Sequence, residues 1–336
     1  MKDNDVVKST NSASIRLAGS SVTIPTMGLG TWAWGDQGTW GMNGYDKSYG
    51  FETIREAYAR SVEGGITLLD TAEVYGSGES ERIIGRLLAE DAQHRADIIV
   101  ATKFMPFPWR FSLESALMAS LRASLERLAV PFVHLYQIHG PISLRSHDAM
   151  ASALAAAYDA GLVKAVGVSN YSEAEMRAIH AALARRGVPL ATNQVEYSLL
   201  RRWPEQNGLL RACAELGVVL LAYSPLGQGR LTGKYSASNP PPGKRNFSAF
   251  PMDAIDPVVG QLRRIGEWYG KAPAQVALNW LICKGAVPIP GAKNRKQAEE
   301  NAGALGWRLS DDDVSALDQV GKTGQRRLMH RIWQHG

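Results

Sequence analysis

The sequence predicts an α/β chain in which eight parallel strands alternate with helices and close into a single (β/α)₈ TIM barrel. Short apolar and β-branched runs recur along the chain, and the first six begin 27 to 36 residues apart, the length of one strand–helix unit. Most runs are apolar at nearly every position, as strands covered on both faces are. They are 66–70, 97–102, 133–138, 163–168, 190–194, 218–222 and 286–289, and Thr26–Trp32 supplies an eighth strand ahead of them.

Length and composition are compatible with this barrel. The chain has 336 residues, of which 45% are hydrophobic and 21% charged, so it is neither a disordered nor a fibrous protein. Two domains would fit the same length, but no linker divides the chain, which favours one domain over residues 13–320. A doubly wound open sheet is the competing α/β architecture.

The elements around the barrel follow from local patterns. Residues 14–26 have the pattern of a β-hairpin, which we expect to plug the bottom of the barrel. Residues 113–128 carry leucine at every third or fourth position, which predicts a helix packed on the sheet. The interval 223–285 contains the Pro/Gly-rich stretch 236–251, which predicts a long loop after the seventh barrel strand.

Both ends of the chain differ from the repeating units. Residues 1–12 are polar and are expected to be disordered. After the eighth strand the sequence predicts a helix over 295–305, a helix capped at Ser310 and a basic, aromatic C-terminal tail over 321–336.

Charge and special residues exclude several classes of protein. The net charge is +5, and the basic residues are scattered apart from pairs such as Arg201-Arg202, most of which we expect on solvated helix faces, so no nucleic-acid partner is predicted. Cys213 and Cys283 are too isolated for a disulfide framework or a zinc site, and the seven histidines are dispersed, so no metal is expected. No apolar run is long enough for a signal peptide or a membrane span, which predicts a cytoplasmic protein without a membrane partner.

Polar residues and glycines follow each predicted strand. In a barrel these positions converge on the mouth at the carboxyl ends of the strands, where active sites lie. They are Gly30-Thr31-Trp32, residues 70–75, Thr102-Lys103, His139-Gly140, Ser169-Asn170, Asn193-Gln194, Tyr223-Ser224-Pro225 and Gly291-Ala292-Lys293.

Asp70, Tyr75, Lys103 and His139 fall at the ends of three neighbouring strands. A lysine ammonium stabilises a phenolate and lowers the pKa of tyrosine from about 10, so Lys103 held by Asp70 would make Tyr75 a usable general acid. His139 is suited to a hydrogen bond with a substrate oxygen. Taken singly, such a tyrosine is more often a packing residue, such an aspartate a helix cap and such a histidine a satisfied polar group; their joint position favours catalysis.

Eight motifs, in order, resemble those of the aldo-keto reductase superfamily, and the resemblance covers residues 14–320. The motifs are Gly28–Trp32, Leu69–Gly76, Ala101–Lys103, Leu135–His139, Gly167–Tyr171, Asn193–Tyr197, Ala222–Gly227 and Ile289–Lys293. The resemblance implies a TIM-barrel oxidoreductase that uses NADPH/NADP⁺ to reduce an aldehyde or ketone. Hydride would pass from nicotinamide C4 to the carbonyl carbon, Tyr75 would protonate the oxygen, and Asp70, Lys103 and His139 would complete the catalytic set.

The same resemblance assigns the coenzyme site. Ser169, Asn170 and Gln194 would hydrogen-bond the carboxamide and Tyr223 would stack on the nicotinamide, although Ser169-Asn170 also fits a helix N-cap before Ser172. The remaining coenzyme residues are Gly30, Thr31, Trp32, Asp70, Ser224, Pro225, Leu226, Gly227, Gly229, Arg230, Lys234, Ile289, Gly291, Ala292, Lys293, Arg295, Gln297, Glu300 and Asn301.

Positive charge near the last two barrel strands favours NADP(H) over NAD(H). Glycines and cations between Leu226 and Lys234 suit a pyrophosphate. Lys293 and Arg295 precede a helix, whose N-terminus binds anions, and a 2′-phosphate needs such charge while a ribose diol does not. Some relatives carry a different spacing of cations here, so the sequence leaves open which cation contacts the 2′-phosphate.

Aromatic residues on the loops after the first and third barrel strands predict a wide apolar pocket for a ring-bearing carbonyl compound, although half of them would serve only to cover the mouth. The predicted pocket residues are Trp32, Trp34, Tyr75, Phe104, Trp109 and His139, with the tail over 321–336 nearby. Similar branches reduce pyridoxal, alkaloid aldehydes, keto-steroids and keto groups of fungal toxins. The alternatives are a regulatory subunit resembling potassium-channel β subunits and a non-redox barrel lyase or isomerase. A monomer or weak homo-oligomer is expected.

Overall fold

Parallel strands joined by helices form the centre of the computed structural model, which describes residues 14–35, 50–241, 252–324, 328 and 332–336. The strands are β1 (Ser14–Arg16), β2 (Thr23–Pro25), β3 (Gly28–Gly30), β4 (Leu68–Asp70), β5 (Ile99–Phe104), β6 (Leu135–Ile138), β7 (Val166–Ser169), β8 (Leu190–Glu196), β9 (Val219–Tyr223) and β10 (Val287–Pro288). The α-helices described are α1 (Phe51–Glu63), α2 (Glu79–Glu90), α3 (Leu113–Leu128), α4 (His147–Asp159), α5 (Glu173–Ala184), α6 (Trp203–Gln206), α7 (Leu209–Leu216), α8 (Met252–Tyr269), α9 (Pro273–Cys283), α10 (Arg295–Ala302) and α11 (Asp311–Val320).

Strands β3 to β10 form one parallel sheet in which each strand pairs with its neighbours in sequence. The first and last strands meet where Gly30 pairs with Gly291, and the Gly30 N–H donates to the Pro290 carbonyl at 3.0 Å. A Cβ at Gly30 would lie 2.8 Å from the Ile289 carbonyl oxygen, so this close approach requires glycine. The predicted eight-stranded barrel is confirmed.

The predicted hairpin is also confirmed and closes the amino-terminal end of the barrel. Strands β1 and β2 pair antiparallel, with Ile15 opposite Ile24. Leu17 and Ile24 are fully buried in one apolar cluster with inward-facing residues of the barrel strands, including Leu135 and Leu221. Packing therefore fills the bottom, and the opposite mouth carries the polar residues.

Several predicted helices form with small shifts of their ends. In α3 the leucine face is buried against the sheet, as predicted. The helix expected over 295–305 ends at Ala302, and α11 begins after its cap Ser310, whose hydroxyl accepts from the Asp313 N–H.

Other sequence expectations need correction or fall outside the described residues. The interval after β9 contains α8 and α9 besides a loop, while residues 242–251 and the predicted disordered 1–12 lie outside the described residues. Arg201 is 5% exposed, so this arginine does not lie on a solvated helix face. Among the helices described, none is long and apolar enough to cross a membrane.

Candidate active site

Lys103, on β5, is the centre of the candidate site. Its ammonium donates to Asp70 Oδ2 at 2.6 Å, to the Thr71 carbonyl at 2.8 Å and to the Tyr75 hydroxyl at 3.3 Å. Ala101 and Lys103 point into the barrel while Phe104 packs against the outer helices, because side chains alternate along a strand. Since β4 ends at Asp70 beside β5, this alternation brings the carboxylate to the ammonium.

Tyr75 reaches the mouth on a tight turn after β4. The turn spans Tyr75–Gly78, and Gly76 has φ +57°. A Cβ at Gly76 would collide with the backbone of Gly35, so glycine lets the turn pack against the loop after β3. The turn is thereby held in the position that presents the Tyr75 hydroxyl to Lys103.

The protonation states of these groups follow from burial and charge. Burial raises the pKa of Tyr75, and the Lys103 ammonium opposes this only in part. The predicted lowering of the Tyr75 pKa is therefore wrong for this structure. Burial lowers the pKa of Lys103, but the charge of Asp70 and the Tyr75 hydroxyl outweigh it and raise that pKa. Lys103 is thus charged and Tyr75 protonated at neutral pH.

His139 follows β6 and lies beside Tyr75. The two rings meet edge to face with their centroids 5.5 Å apart. Burial, assisted by the Lys103 charge, holds the pKa of His139 well below its usual range, so the imidazole is neutral. Its Nδ1 is buried and has no hydrogen-bond partner among the described residues.

The ends of β7, β8 and β9 carry the residues expected at the nicotinamide. Gln194 Nε2 donates to Asp70 Oδ1 at 2.7 Å, the Ser169 hydroxyl donates to the Gln194 carbonyl at 2.8 Å, and Tyr223 donates its hydroxyl to Asn170 Oδ1 at 2.9 Å. The cap of α5 is Ser172. Ser169 and Asn170 are therefore not needed as helix caps, and Gln194 joins the expected carboxamide region to the Asp70 carboxylate.

The loop after β9 has backbone conformations that suit an anion. Five residues between 224 and 233 have positive φ, including the non-glycine residues Ser224 and Gln228. Gln228 Oε1 is buried without a hydrogen-bond partner among the described residues, and the buried Arg230 donates to the Gly227 carbonyl at 3.3 Å. Backbone strain and an unpaired polar atom are typical of a ligand site. Gln228 Oε1 can only accept a hydrogen bond, so a pyrophosphate, as expected here, would use the backbone N–H groups and the Arg230 cation of this loop instead.

Some of the predicted residues after β10 hold the loop in shape, whereas others are exposed to solvent. Asn301 donates to the Gly291 carbonyl at 3.2 Å and Gln297 accepts from the Lys293 N–H at 2.9 Å, so both shape the loop. Asn294 caps α10 by accepting from the Gln297 N–H. Arg295 is exposed in the first turn and pairs with Glu299 at 3.1 Å. The guanidinium is therefore exposed to solvent and accessible to the phosphate of a bound ligand.

Two predicted pocket residues belong to the core instead. Trp34 is 3% exposed and donates its indole N–H to the Ala292 carbonyl at 2.8 Å. Phe104 is fully buried, because the residue after the inward-facing Lys103 must point outward. Trp32 is 36% exposed at the mouth, and Trp109 is 64% exposed and stacks on Phe107 with centroids 4.5 Å apart.

A partly buried ion pair, which sequence reasoning missed, supports the loop after β5. Glu73 accepts from the Met105 N–H at 2.7 Å and from Arg110 at 2.9 Å. The Arg110 guanidinium lies 4.7 Å above the Phe104 ring. Glu73 lies within the motif Leu69–Gly76 around Tyr75, and this position was the one feature of the sequence that could have pointed to it.

Two further side chains near the mouth, those of Arg201 and Trp333, could not have been assigned there from local sequence patterns. Arg201 Nε lies 3.2 Å from the Glu196 carboxylate, and its Nη2 is buried without a hydrogen-bond partner in the described part of the chain. Trp333 meets His139 with ring centroids 5.5 Å apart. Within the described ranges, no group of three or more His, Cys, Asp or Glu residues is placed to hold a metal ion.

Comparison with known proteins identifies the family of this chain. Residues 26–322 match the model of the aldo/keto reductase family. The chain belongs to the aldo-keto reductase family. It is 39% identical over 327 residues to the chloroplastic pyridoxal reductase of Arabidopsis thaliana, which covers 93% of this chain and 87% of that relative.

Other relatives of this aldo-keto reductase differ in substrate and share the fold. L-glyceraldehyde 3-phosphate reductase of Escherichia coli (strain K12) is 30% identical over 335 residues, covering 94% of this chain and 93% of the relative. The glycerol dehydrogenase of Gluconobacter oxydans has a TM-score of 0.79 at 28% identity, covering 94% of this chain and 98% of that structure. The family assignment makes the chain an oxidoreductase, and aldo-keto reductases use NADP(H).

Proposed function

We propose that this aldo-keto reductase uses NADPH to reduce an aldehyde or ketone to an alcohol, with Tyr75 as the general acid. The observation that carries the proposal is the contact of one buried ammonium, that of Lys103, with both the Asp70 carboxylate and the Tyr75 hydroxyl, beside the neutral His139. Such a set provides a proton donor, a charge that stabilises its conjugate base and a hydrogen-bonding group for the carbonyl.

The chemistry divides between coenzyme and protein. The nicotinamide, when bound, supplies the hydride that forms the new C–H bond at the carbonyl carbon. Tyr75 donates its hydroxyl proton to the carbonyl oxygen as the C=O double bond becomes a C–O single bond. The Lys103 ammonium, 3.3 Å from that hydroxyl, stabilises the resulting phenolate. His139 orients the carbonyl by a hydrogen bond from its neutral ring.

The coenzyme residues form two groups in this proposal. Ser169, Asn170 and Gln194 hydrogen-bond the carboxamide beside the Tyr223 ring. The loop after β9 holds the pyrophosphate, with the remaining predicted residues of that loop and of the turn after β10 around the adenosine. Lys293 and Arg295 favour the 2′-phosphate of NADPH, because Arg295 offers an exposed fork of donors at the start of α10 and Lys293 adds a positive charge just before it.

The proposed substrate is a ring-bearing or bulky carbonyl compound. Trp32 and Trp109 are exposed on the loops after β3 and β5, which follow the carboxyl ends of the strands as Tyr75 and His139 do, and the tail over 321–336 supplies Trp333, which meets His139. The similarity to a pyridoxal reductase supports an aromatic aldehyde. A single domain over 13–320, a monomer or weak homo-oligomer and a cytoplasmic location stay predictions.

An assay with a panel of carbonyl compounds tests the proposal. The protein is mixed with NADPH or NADH and with compounds that range from small aldehydes to polycyclic ketones, and loss of the reduced coenzyme is followed. We expect turnover with NADPH and a higher kcat/KM for ring-bearing compounds. Tight NADPH binding without turnover of any carbonyl would contradict the proposal and favour the regulatory-subunit alternative.

A further inference from the structure

The His139 ring is held by packing and not by a hydrogen bond at its buried nitrogen. Its Nδ1 has no partner among the described residues, whereas a histidine with a fixed role usually has one nitrogen bonded. Tyr75 meets one part of the ring edge to face, and Trp333 meets it at 61° with centroids 5.5 Å apart. These two aromatic side chains therefore set the orientation of the imidazole.

Gly140 makes room for the indole. A Cβ at this position would lie 3.1 Å from the Trp333 Cη2 and Cζ3 atoms, closer than an ordinary contact. The residue that follows His139 is thus compatible with Trp333 packing directly over the end of β6. A larger residue at position 140 would therefore push the Trp333 indole away from its place beside His139.

The three residues after Trp333 are anchored across the ends of the next strands. Gln334 Nε2 donates to the Tyr223 hydroxyl, and the His335 N–H donates to the Asn170 carbonyl at 3.1 Å. His335 Nδ1 lies 2.9 Å from Glu175 Oε1. Gly336 is buried, and a Cβ there would collide with Val195.

We propose that Trp333 is a positioning residue for His139 and that the anchor formed by residues 334–336 holds it there. The inference deepens the proposed reduction, because the imidazole must point at the carbonyl while Tyr75 delivers its proton. An indole fixed over the mouth also keeps water from the His139 ring. The anchor therefore ties the catalytic geometry to a segment that lies about 200 residues away in sequence.

Loss of the indole changes two measurable properties. The His139 ring gains freedom to rotate, which lowers kcat even for an aldehyde too small to touch Trp333. Water also reaches the imidazole, so its pKa moves up toward its ordinary value. The titratable groups that face it are Tyr75 and Lys103, with Asp70 behind Lys103, while His335 and Glu175 lie along the anchor; all of these remain in the variant.

The experiment compares Trp333→Ala, Trp333→Phe and the control Trp268→Ala, which removes an indole that is 83% exposed on α8. For a small aliphatic aldehyde, we expect Trp333→Ala to lower kcat by about ten- to a hundredfold, because a small misplacement of a catalytic group has such an effect. Trp333→Phe, which keeps an aromatic edge, should restore most of it. The control should match the parent protein.

The anchor is tested with His335→Ala and its conservative counterpart His335→Asn. The first should lower kcat in the same direction as Trp333→Ala and the second less. Glu175 is left unchanged, because it also closes the capping box of α5. Equal kcat in His335→Ala and the parent would refute the anchoring role.

A second readout separates this inference from the proposed reaction. The imidazole resonance of His139, assigned by its loss in His139→Gln, is titrated by NMR in the parent and in Trp333→Ala. We expect it to titrate near neutral pH only in Trp333→Ala. An unchanged titration together with an unchanged kcat would overturn the inference, whereas absence of carbonyl turnover in the parent, with the expected NMR change, would count against the proposed function alone.

Discussion

Lys103 Nζ lies 2.6 Å from Asp70 Oδ2, and both side chains are almost completely buried. A buried ammonium is stable only when its charge is matched, so the pair keeps a positive charge beside the Tyr75 hydroxyl. The other carboxylate oxygen accepts from Gln194, which places one end of this network at the expected carboxamide site. In the proposed mechanism Asp70 would therefore connect proton donation with coenzyme binding.

Asp70→Asn should affect both stability and activity. The substitution leaves the Lys103 ammonium without a counter-ion, which destabilises the protein by about 3 kcal/mol. It also removes the charge that holds Lys103 in place, so reduction should slow. Urea denaturation and kcat/KM measure the two effects, and retention of both parental values would contradict the assigned role of the pair.

The rate of reduction should not change with the titration of His139 as the pH is lowered. Burial holds the pKa of His139 well below its usual range, so the ring stays neutral as the pH falls through the ordinary imidazole value of about 6.5. Burial raises the pKa of Tyr75 above about 10, so the rate should decline only at higher pH, where the phenol loses its proton. A kcat/KM profile checks both statements, and a limb near the ordinary imidazole value would disprove the first.

Glu205 should stabilise the fold in a pH-dependent way. Burial opposes its ionised form, but hydrogen bonds from Arg202 at 2.7 Å and an ion pair with Lys284 at 2.9 Å outweigh this and lower its pKa. Because the folded pKa lies below the unfolded value of about 4.3, the stabilisation is present above that value and is lost as pH falls through the folded pKa.

Glu205→Gln tests this contribution. Removing one member of a largely buried pair should lower the free energy of unfolding by about 3 kcal/mol at neutral pH. The difference between variant and parent should shrink in acid, where Glu205 becomes protonated. Glu90→Gln is the matched control, since its pair with Arg86 is exposed and contributes at most about 1 kcal/mol. An equal loss at neutral and acidic pH would count against the assignment.

Lys293→Ala and Arg295→Ala should weaken discrimination between the two coenzymes. Loss of one charged hydrogen bond to the 2′-phosphate should raise the Kd for NADPH about tenfold and leave that for NADH nearly unchanged. Arg60→Ala is the control, because Arg60 shares the carboxylate of Glu299 with Arg295 but belongs to α1. Unchanged discrimination in both variants would refute the proposed phosphate site.

The barrel and its mouth were predictable because strand spacing and chain order determine where the polar residues gather. The positions of Asp70, Lys103 and Tyr75 follow from that order, and the structure brings these side chains into contact. Alternation along β5 also decides that Phe104 points outward once Lys103 points inward. The pocket assignment of Phe104 overlooked that constraint.

Properties that depend on distant contacts were not predictable from local patterns. The rise of the Tyr75 pKa is caused by desolvation of its hydroxyl, which outweighs the neighbouring ammonium. Trp333 reaches His139 through a tertiary contact that no spacing rule indicates. Arg201 looked like part of a solvated pair, yet the turn after β8 buries it beside Glu196.

The central claim is that the Tyr75 hydroxyl protonates the carbonyl oxygen, and Tyr75→Phe tests it most directly. The phenyl ring keeps the packing against His139 and removes only the proton donor. We expect the variant to bind NADPH with the parental Kd and to reduce its best carbonyl substrate about a hundred- to ten-thousandfold more slowly, as loss of a general acid requires. Parental kcat in Tyr75→Phe would contradict the mechanism.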